Sequence, residues 1–177
     1  MSVESARVIA VVRYRQATDL GRAVDVLSAG GILVEITLDT PGALQAISAA
    51  TGRGLTVGAG TVIDADGVRA SADAGATFVV SPGLVDHVVE TALAVGVDPV
   101  PGIATATELL RGQALGARIF KVFPAMSLGG PAFINALRSP FPDVRLVAVG
   151  GVEIADIGAY LDAGATAVAL GRGLVGA

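Results

Sequence analysis

Lys121 is the only lysine among 177 residues, and it lies inside the apolar run Arg118-Ile-Phe-Lys-Val-Phe-Pro-Ala125. Burying an ammonium on a strand costs several kcal/mol unless the charge is paired or discharged. Two chemistries suit such a residue. A strand-end lysine can snorkel to water. An amine held in a dry pocket loses basicity and attacks a carbonyl to form a Schiff base. Glu35 is the second anomaly, a carboxylate flanked by Ile32, Leu33, Val34, Ile36 and Leu38. Strand alternation puts Glu35 on one face with Leu33 and Thr37, and Lys121 on one face with Ile119 and Phe123. If both faces point inward, the two groups meet, either as a buried ion pair or as a nucleophile beside a proton shuttle.

Elements that would position them follow a rhythm. Glycines resembling helix C-caps fall at Gly30, Gly52, Gly75, Gly96 and Gly116, 20 to 23 residues apart, and again at Gly164 after a double interval. Each precedes a short apolar run, a turn and an amphipathic segment. Asp73-Ala-Gly-Ala-Thr77 recurs as Asp162-Ala-Gly-Ala-Thr166, 89 residues later. Eight βα units with two similar halves point to an α/β fold, a (βα)₈ TIM barrel, in one domain spanning 1–177. Strand one is expected near Arg7–Arg13, strand two over Ile32–Leu38, and strand six around Lys121. Strand five should end at Pro101-Gly102, strand seven at Val149 and strand eight at Leu170. The first helix should open near Thr18 and bury Leu20, Ala23, Val24 and Leu27, and the seventh should bury Ile154, Ile157 and Leu161. Thr105-Ala-Thr-Glu108 reads as a capping box.

Composition narrows the function. Apolar residues make up 53% and charged residues 16%, as buried parallel strands under small-residue helices require. A net charge of −4 gives no basic footprint for nucleic acid. Without cysteine there are no disulfides or thiolate ligands, and one histidine, His87, leaves little for a metal site. His87 falls off its helix's apolar stripe and reads as solvated. No signal peptide opens the chain and no apolar run approaches about 18 residues, so a soluble cytoplasmic domain is expected.

Barrel active sites lie at the C-terminal ends of the strands. Arg13, Glu35, Thr37, Thr61 and Lys121 collect there. Gly150-Gly151 and Gly171-Arg-Gly173 follow strands seven and eight, where backbone amides commonly hold phosphate. Gly58-Ala-Gly60 lacks the third glycine of a dinucleotide fingerprint, since position 63 is Ile63.

Glu35-Ile-Thr, Gly58-Ala-Gly-Thr-Val62, Ser81-Pro-Gly83, Pro101-Gly102, Phe120-Lys-Val-Phe-Pro124 and Gly150-Gly151 appear in order along nearly the whole chain. Together they resemble the 2-keto-3-deoxy-6-phosphogluconate aldolases and their 6-phosphogalactonate relatives. The resemblance implies a class I aldolase, usually a homotrimer, that works without metal or other cofactor. Its products would be pyruvate and glyceraldehyde 3-phosphate. Lys121 matches the Schiff-base lysine and Glu35 the general acid/base. Arg13 and Thr61 match positions holding the pyruvate carboxylate, with Thr37 beside them. Pro82 and Phe123 line the pocket, and Gly150 and Gly151 match part of the phosphate site. Asp39 stands where many members carry arginine, which leaves the carboxylate to Arg13. Val149 replaces a threonine common in gluconate-type enzymes, and Arg172 replaces a phosphate-site serine, where it binds phosphate or blocks it.

Two other readings stay open on the residues alone: a phosphate-binding barrel isomerase, which needs no lysine nucleophile, and a non-catalytic assembly subunit. Only Gly176 and Ala177 follow Val175, so the sequence is expected to lack an eighth helix. Strand eight is then expected to expose Ala167 and Ala169 in an outer groove, covered by a longer chain's tail or by a symmetry mate.

Overall fold

Apolar strands alternate with short amphipathic helices. The computed structural model describes residues 2–14 and 20–171. In chain order its strands are β1 (Val8–Val12), β2 (Leu33–Thr37), β3 (Val57–Gly60), β4 (Phe78–Val80), β5 (Asp98–Val100), β6 (Gly102–Ile103), β7 (Ile119–Val122), β8 (Arg145–Val149) and β9 (Ala167–Leu170). The helices are α1 (Leu20–Ala29), α2 (Ala43–Thr51), α3 (Ala65–Asp73), α4 (Asp86–Ala94), α5 (Ala106–Ala114), α6 (Pro131–Arg138) and α7 (Ile157–Asp162).

All strand pairs are parallel, in the order β5-β4-β3-β2-β1-β9-β8-β7-β6. Only Pro101 separates β5 from β6 in sequence, so the two ends of that order adjoin. Ser81 N–H donates to Val100 O at 3.3 Å on one side, and Lys121 N–H donates to Pro101 O at 2.9 Å on the other. The expected fifth strand is therefore one barrel position broken at Pro101, which has no amide hydrogen to continue a ladder. The result is a (βα)₈-type barrel.

Strand alternation sorts the core into two layers. Ile9, Leu33, Phe78, Val80, Val100, Ile119, Val147, Val149, Ala167 and Ala169 form one cluster, the barrel interior. Val3 and Ala6, from the turn before β1, belong to the same cluster. The opposite strand faces pack under the helices. Val34, Ile36, Val57, Ala59 and Val79 meet Leu20, Val24 and Leu27 of α1 and Ile47 of α2 in one half. Phe120, Val122, Leu146, Ala148 and Val168 meet Leu109, Ile134 and Tyr160 in the other.

Helix ends follow the sequence closely. Asp64 caps α3 by accepting from Gly67 N–H at 2.7 Å, and Thr105 caps α5 by accepting from Glu108 N–H at 3.2 Å. Glu108 turns back to accept Ala104 N–H at 2.8 Å, one residue before the cap, and the Thr105 hydroxyl at 2.8 Å; these bonds hold its carboxyl below the usual range. Two expected caps shift. The left-handed residues after α1 and α2 are Gly31 and Gly54, while Gly52 stays right-handed. After α2 the chain continues one more turn, and Leu55 N–H returns to Ala50 O at 3.1 Å across Gly54.

Two further expectations are corrected. Ile154 does not join the buried stripe of the seventh helix; it is exposed, in a 3₁₀ turn over Ile154–Asp156, and Tyr160 is the buried residue of α7. Ala167 and Ala169 do not line an outer groove, because they face the barrel interior, and Val168 is the β9 residue packed under the helices. The expected opening of the first helix at Thr18, Arg172, Gly173 and the segment where an eighth helix would follow lie outside the described residues.

Interior space is tightly allotted. A methyl group at Gly58 would come within 2.5 Å of Phe78 Cδ2 and closer still to its Cε2 and Cζ. Gly58→Ala should therefore destabilise the fold by about 1–3 kcal/mol, the usual cost of overpacking a core. Urea denaturation measures this, and an unchanged midpoint would show that Phe78 is not pinned there.

Candidate active site

The mouth of the barrel is built by inward-facing residues at the C-terminal ends of the strands. Glu35 lies on β2 between Leu33 and Thr37, and it is 3% exposed. Lys121 lies on β7 and is 8% exposed. It does not snorkel into open solvent. The ion pairs among the described residues join Arg13 to Asp39, Arg53 to Asp25, Arg69 to Asp66, Arg111 to Asp86 and Arg145 to Glu4. Glu35 and Lys121 form none, so they share the interior without direct contact.

Their electrostatics follow from that arrangement. Burial pushes the Glu35 carboxyl above the usual carboxylate range, opposed by the charges of Lys121 and Arg13. Burial likewise pulls the Lys121 amine below its ordinary value, opposed by Glu35 and assisted by Arg13. The Lys121 Nζ also sits 4.6 Å from the centroid of the Phe123 ring, a contact that favours the ammonium. The site thus holds an amine that is easier to deprotonate and a carboxyl that is easier to protonate. Those are the requirements of a nucleophile and a proton shuttle at neutral pH.

Arg13 follows β1 and gathers three partners. Its Nε donates to Thr37 Oγ1 at 3.3 Å and lies 3.3 Å from Asp39 Oδ2, and its Nη2 donates to Thr61 Oγ1 at 2.8 Å. Thr61 reaches Arg13 from a left-handed backbone, φ 57°, unusual for a β-branched residue. Thr37 is itself held by Thr40, their hydroxyls 3.1 Å apart. Thr40 and the Asp39 pairing escaped the sequence reading, because both lie on the loop after β2, where no periodicity applies.

Glycines shape the other side. Gly150 and Gly151 turn the chain after β8 with φ of 95° and 75°. A methyl group at Gly150 would meet the Phe123 ring at 3.0 Å, and one at Gly151 would meet Met126 Cβ at 2.6 Å. Val149 ends β8 in the interior cluster, one residue before this turn. Pro82 follows β4 and is exposed, its carbonyl packed against Gly102. Gly171 follows β9, and Arg172 beyond it lies outside the described residues. His87 is exposed on α4. Among the described residues no three His, Asp or Glu side chains gather as a metal-ligand set, and no helix is long and apolar enough to cross a membrane.

A buried lysine and a buried glutamate sharing the interior of a parallel barrel narrow the comparison with known proteins. The family model described as "Aldolase: KDPG and KHG aldolase" matches residues 1–177. The chain belongs to this family. It is 40% identical over 159 residues to the 2-dehydro-3-deoxy-phosphogluconate aldolase of Pseudomonas aeruginosa, covering 88% of this chain and 72% of that one. It is 37% identical over 153 residues to the 2-dehydro-3-deoxy-6-phosphogalactonate aldolase of Escherichia coli (strain K12), covering 84% and 74%. Among solved structures, a KDPG aldolase from Legionella pneumophila superposes with a TM-score of 0.90 at 31% identity, covering 98% and 86%. That aldolase was captured at low pH with pyruvate as a covalent carbinolamine intermediate.

The single lysine makes the electrostatics directly measurable. In protein carrying labelled lysine, the side-chain resonance of Lys121 should titrate below the ordinary lysine value. Glu35→Gln removes a charge that favours the ammonium, so the midpoint should fall further. Arg13→Gln removes a repelling charge, so it should rise. An unperturbed midpoint, indifferent to both changes, would contradict the shared interior.

Proposed function

We propose that this chain is a class I, Schiff-base aldolase acting on a phosphorylated 2-keto-3-deoxy sugar acid. One observation carries the reading: Lys121 and Glu35 are both buried in one barrel interior with no ion pair between them. A purely structural pair would be expected to close up, because separated buried charges forfeit their mutual stabilisation. A barrel isomerase would have no use for the amine.

In this mechanism the neutral Lys121 amine attacks the C2 ketone, and the carbinolamine loses water to give an iminium. Glu35, through a water molecule, takes the proton of the C4 hydroxyl. The C3–C4 bond breaks, its electron pair enters the iminium, and glyceraldehyde 3-phosphate leaves. The remaining enamine is protonated at C3, and hydrolysis returns the water and releases pyruvate with the free amine. The iminium is the electron sink.

Arg13, oriented by Thr37, Thr61 and Asp39, would hold the substrate carboxylate. Phe123 and Pro82 would flank the reacting carbons. Gly150, Gly151 and Gly171, with Arg172, would receive the phosphate. Val149 offers no hydrogen bond to a substrate hydroxyl, so either C4 epimer, gluconate or galactonate, is a candidate substrate. We further propose one domain over 1–177, a cytoplasmic setting and a homotrimer. Exposed Val26, Leu93, Val95 and Leu110 on the helix layer offer apolar surface for association.

Glu35→Gln tests the assignment of the shuttle. Cleavage of both epimers, followed by pyruvate release, should slow by about 10²–10⁴-fold, the range for a positioned acid/base. Turnover within a few-fold of wild type would reduce Glu35 to a structural residue.

A further inference from the structure

Gly60 ends β3 facing the barrel interior, and nothing in its backbone calls for glycine. Its φ lies outside the left-handed region. Glycine in a strand gives up packing and adds chain entropy to the unfolded state, so alanine would ordinarily be preferred there. Space supplies the reason. A methyl group at Gly60 would lie 2.9 Å from Glu35 Cγ and 2.8 Å from its Cδ, and closer still to Oε1. In the register Glu35 pairs with Gly58, and Thr37 pairs with Gly60. The Glu35 side chain therefore leans toward the mouth, past its own register, and its outer half rests over the bare α-carbon of Gly60.

No hydrogen bond or ion pair holds the Glu35 carboxylate among the described residues. Its place is set by packing. Gly58 cannot share the task, since the space over Gly58 is filled by Phe78. We propose that Gly60 is a positioning residue for the aldol cleavage, its missing side chain being the space that seats the Glu35 carboxylate in the mouth. This rests on the aldolase reading for its catalytic consequence. The steric assignment stands on the structure alone. A carboxylate end is mobile, so a methyl group at position 60 would swing it aside rather than unfold the barrel. A misplacement of about 1 Å costs roughly 100-fold in rate.

The test combines Gly60→Ala, Glu35→Ala and the double variant, read by steady-state kinetics and by the Lys121 titration. Gly60→Ala should lower kcat by about 100-fold with KM little changed, because the carboxylate site around Arg13 is untouched. It should also move the Lys121 titration midpoint, which senses the Glu35 charge without any chemistry. With Glu35→Ala already present, adding Gly60→Ala should move that midpoint no further. A kcat within a few-fold of wild type would overturn the proposal, as would a midpoint shift of equal size in both backgrounds. If Gly60→Ala does not fold, the double variant decides. It should fold at least as stably as Glu35→Ala, and failure there would show that the clash is not with Glu35. Were the wild type to lack aldolase activity while the midpoint moved only when Glu35 is present, the steric assignment would stand and the aldolase reading would fall.

Discussion

Taking one amine and one carboxyl out of water, into the same apolar barrel, is the constraint on which the rest of the site depends. Each is disfavoured in its charged form by desolvation, and each partly relieves the other from a distance. Direct contact would exchange that tension for a stable ion pair and leave a fully charged lysine. Separation keeps the amine deprotonatable and the carboxyl protonatable. Arg13, at the rim, adds to the effect on the amine and opposes it on the carboxyl, because its charge lowers the pKa values of both groups.

Holding two such groups apart demands control of volume as well as charge. The interior mixes large residues such as Phe78 and Leu33 with Gly58, Gly60, Ala167 and Ala169. Small residues open space where the Glu35 side chain or the Phe78 ring must fit, and large ones close it elsewhere. The same strand end stores strain. Thr61 adopts φ 57°, a conformation costing of order 1–3 kcal/mol, and in return its hydroxyl meets Arg13 Nη2. Stability given up at such a point is consistent with a site under functional demand. Gly58, Gly60 and Thr61 thus serve three different neighbours from one short segment.

Much of this was legible in the residues. Period-two alternation correctly groups Glu35 with Leu33 and Thr37, and Lys121 with Ile119, because each strand carries one charged residue that marks the inward phase. Strand eight carries no such mark. Ala167-Val-Ala-Leu170 is apolar throughout, as parallel strands buried on both faces must be, and its phase could not be read. The outward placement expected for the alanines is therefore the wrong one. The seventh helix misled for another reason. A 3₁₀ turn at Ile154–Asp156 resets the helical phase, so a single 3.6-residue period drawn through Ile154 placed it inside and passed over Tyr160. Asp39 and Gly60 were visible as residues, but their partners were not. The Arg13–Asp39 pair spans two loops, and the clash between position 60 and Glu35 exists only once β2 and β3 are set in register.

The central claim is that the buried, solitary Lys121 amine is a carbonyl nucleophile. Borohydride reduction in the presence of pyruvate tests it most directly, followed by intact mass and peptide mapping. One covalent pyruvate-derived adduct per chain, located at Lys121 and absent from Lys121→Ala, is the predicted result. No adduct on the wild-type chain, or a Lys121→Ala variant that still cleaves substrate at the wild-type rate, would contradict it.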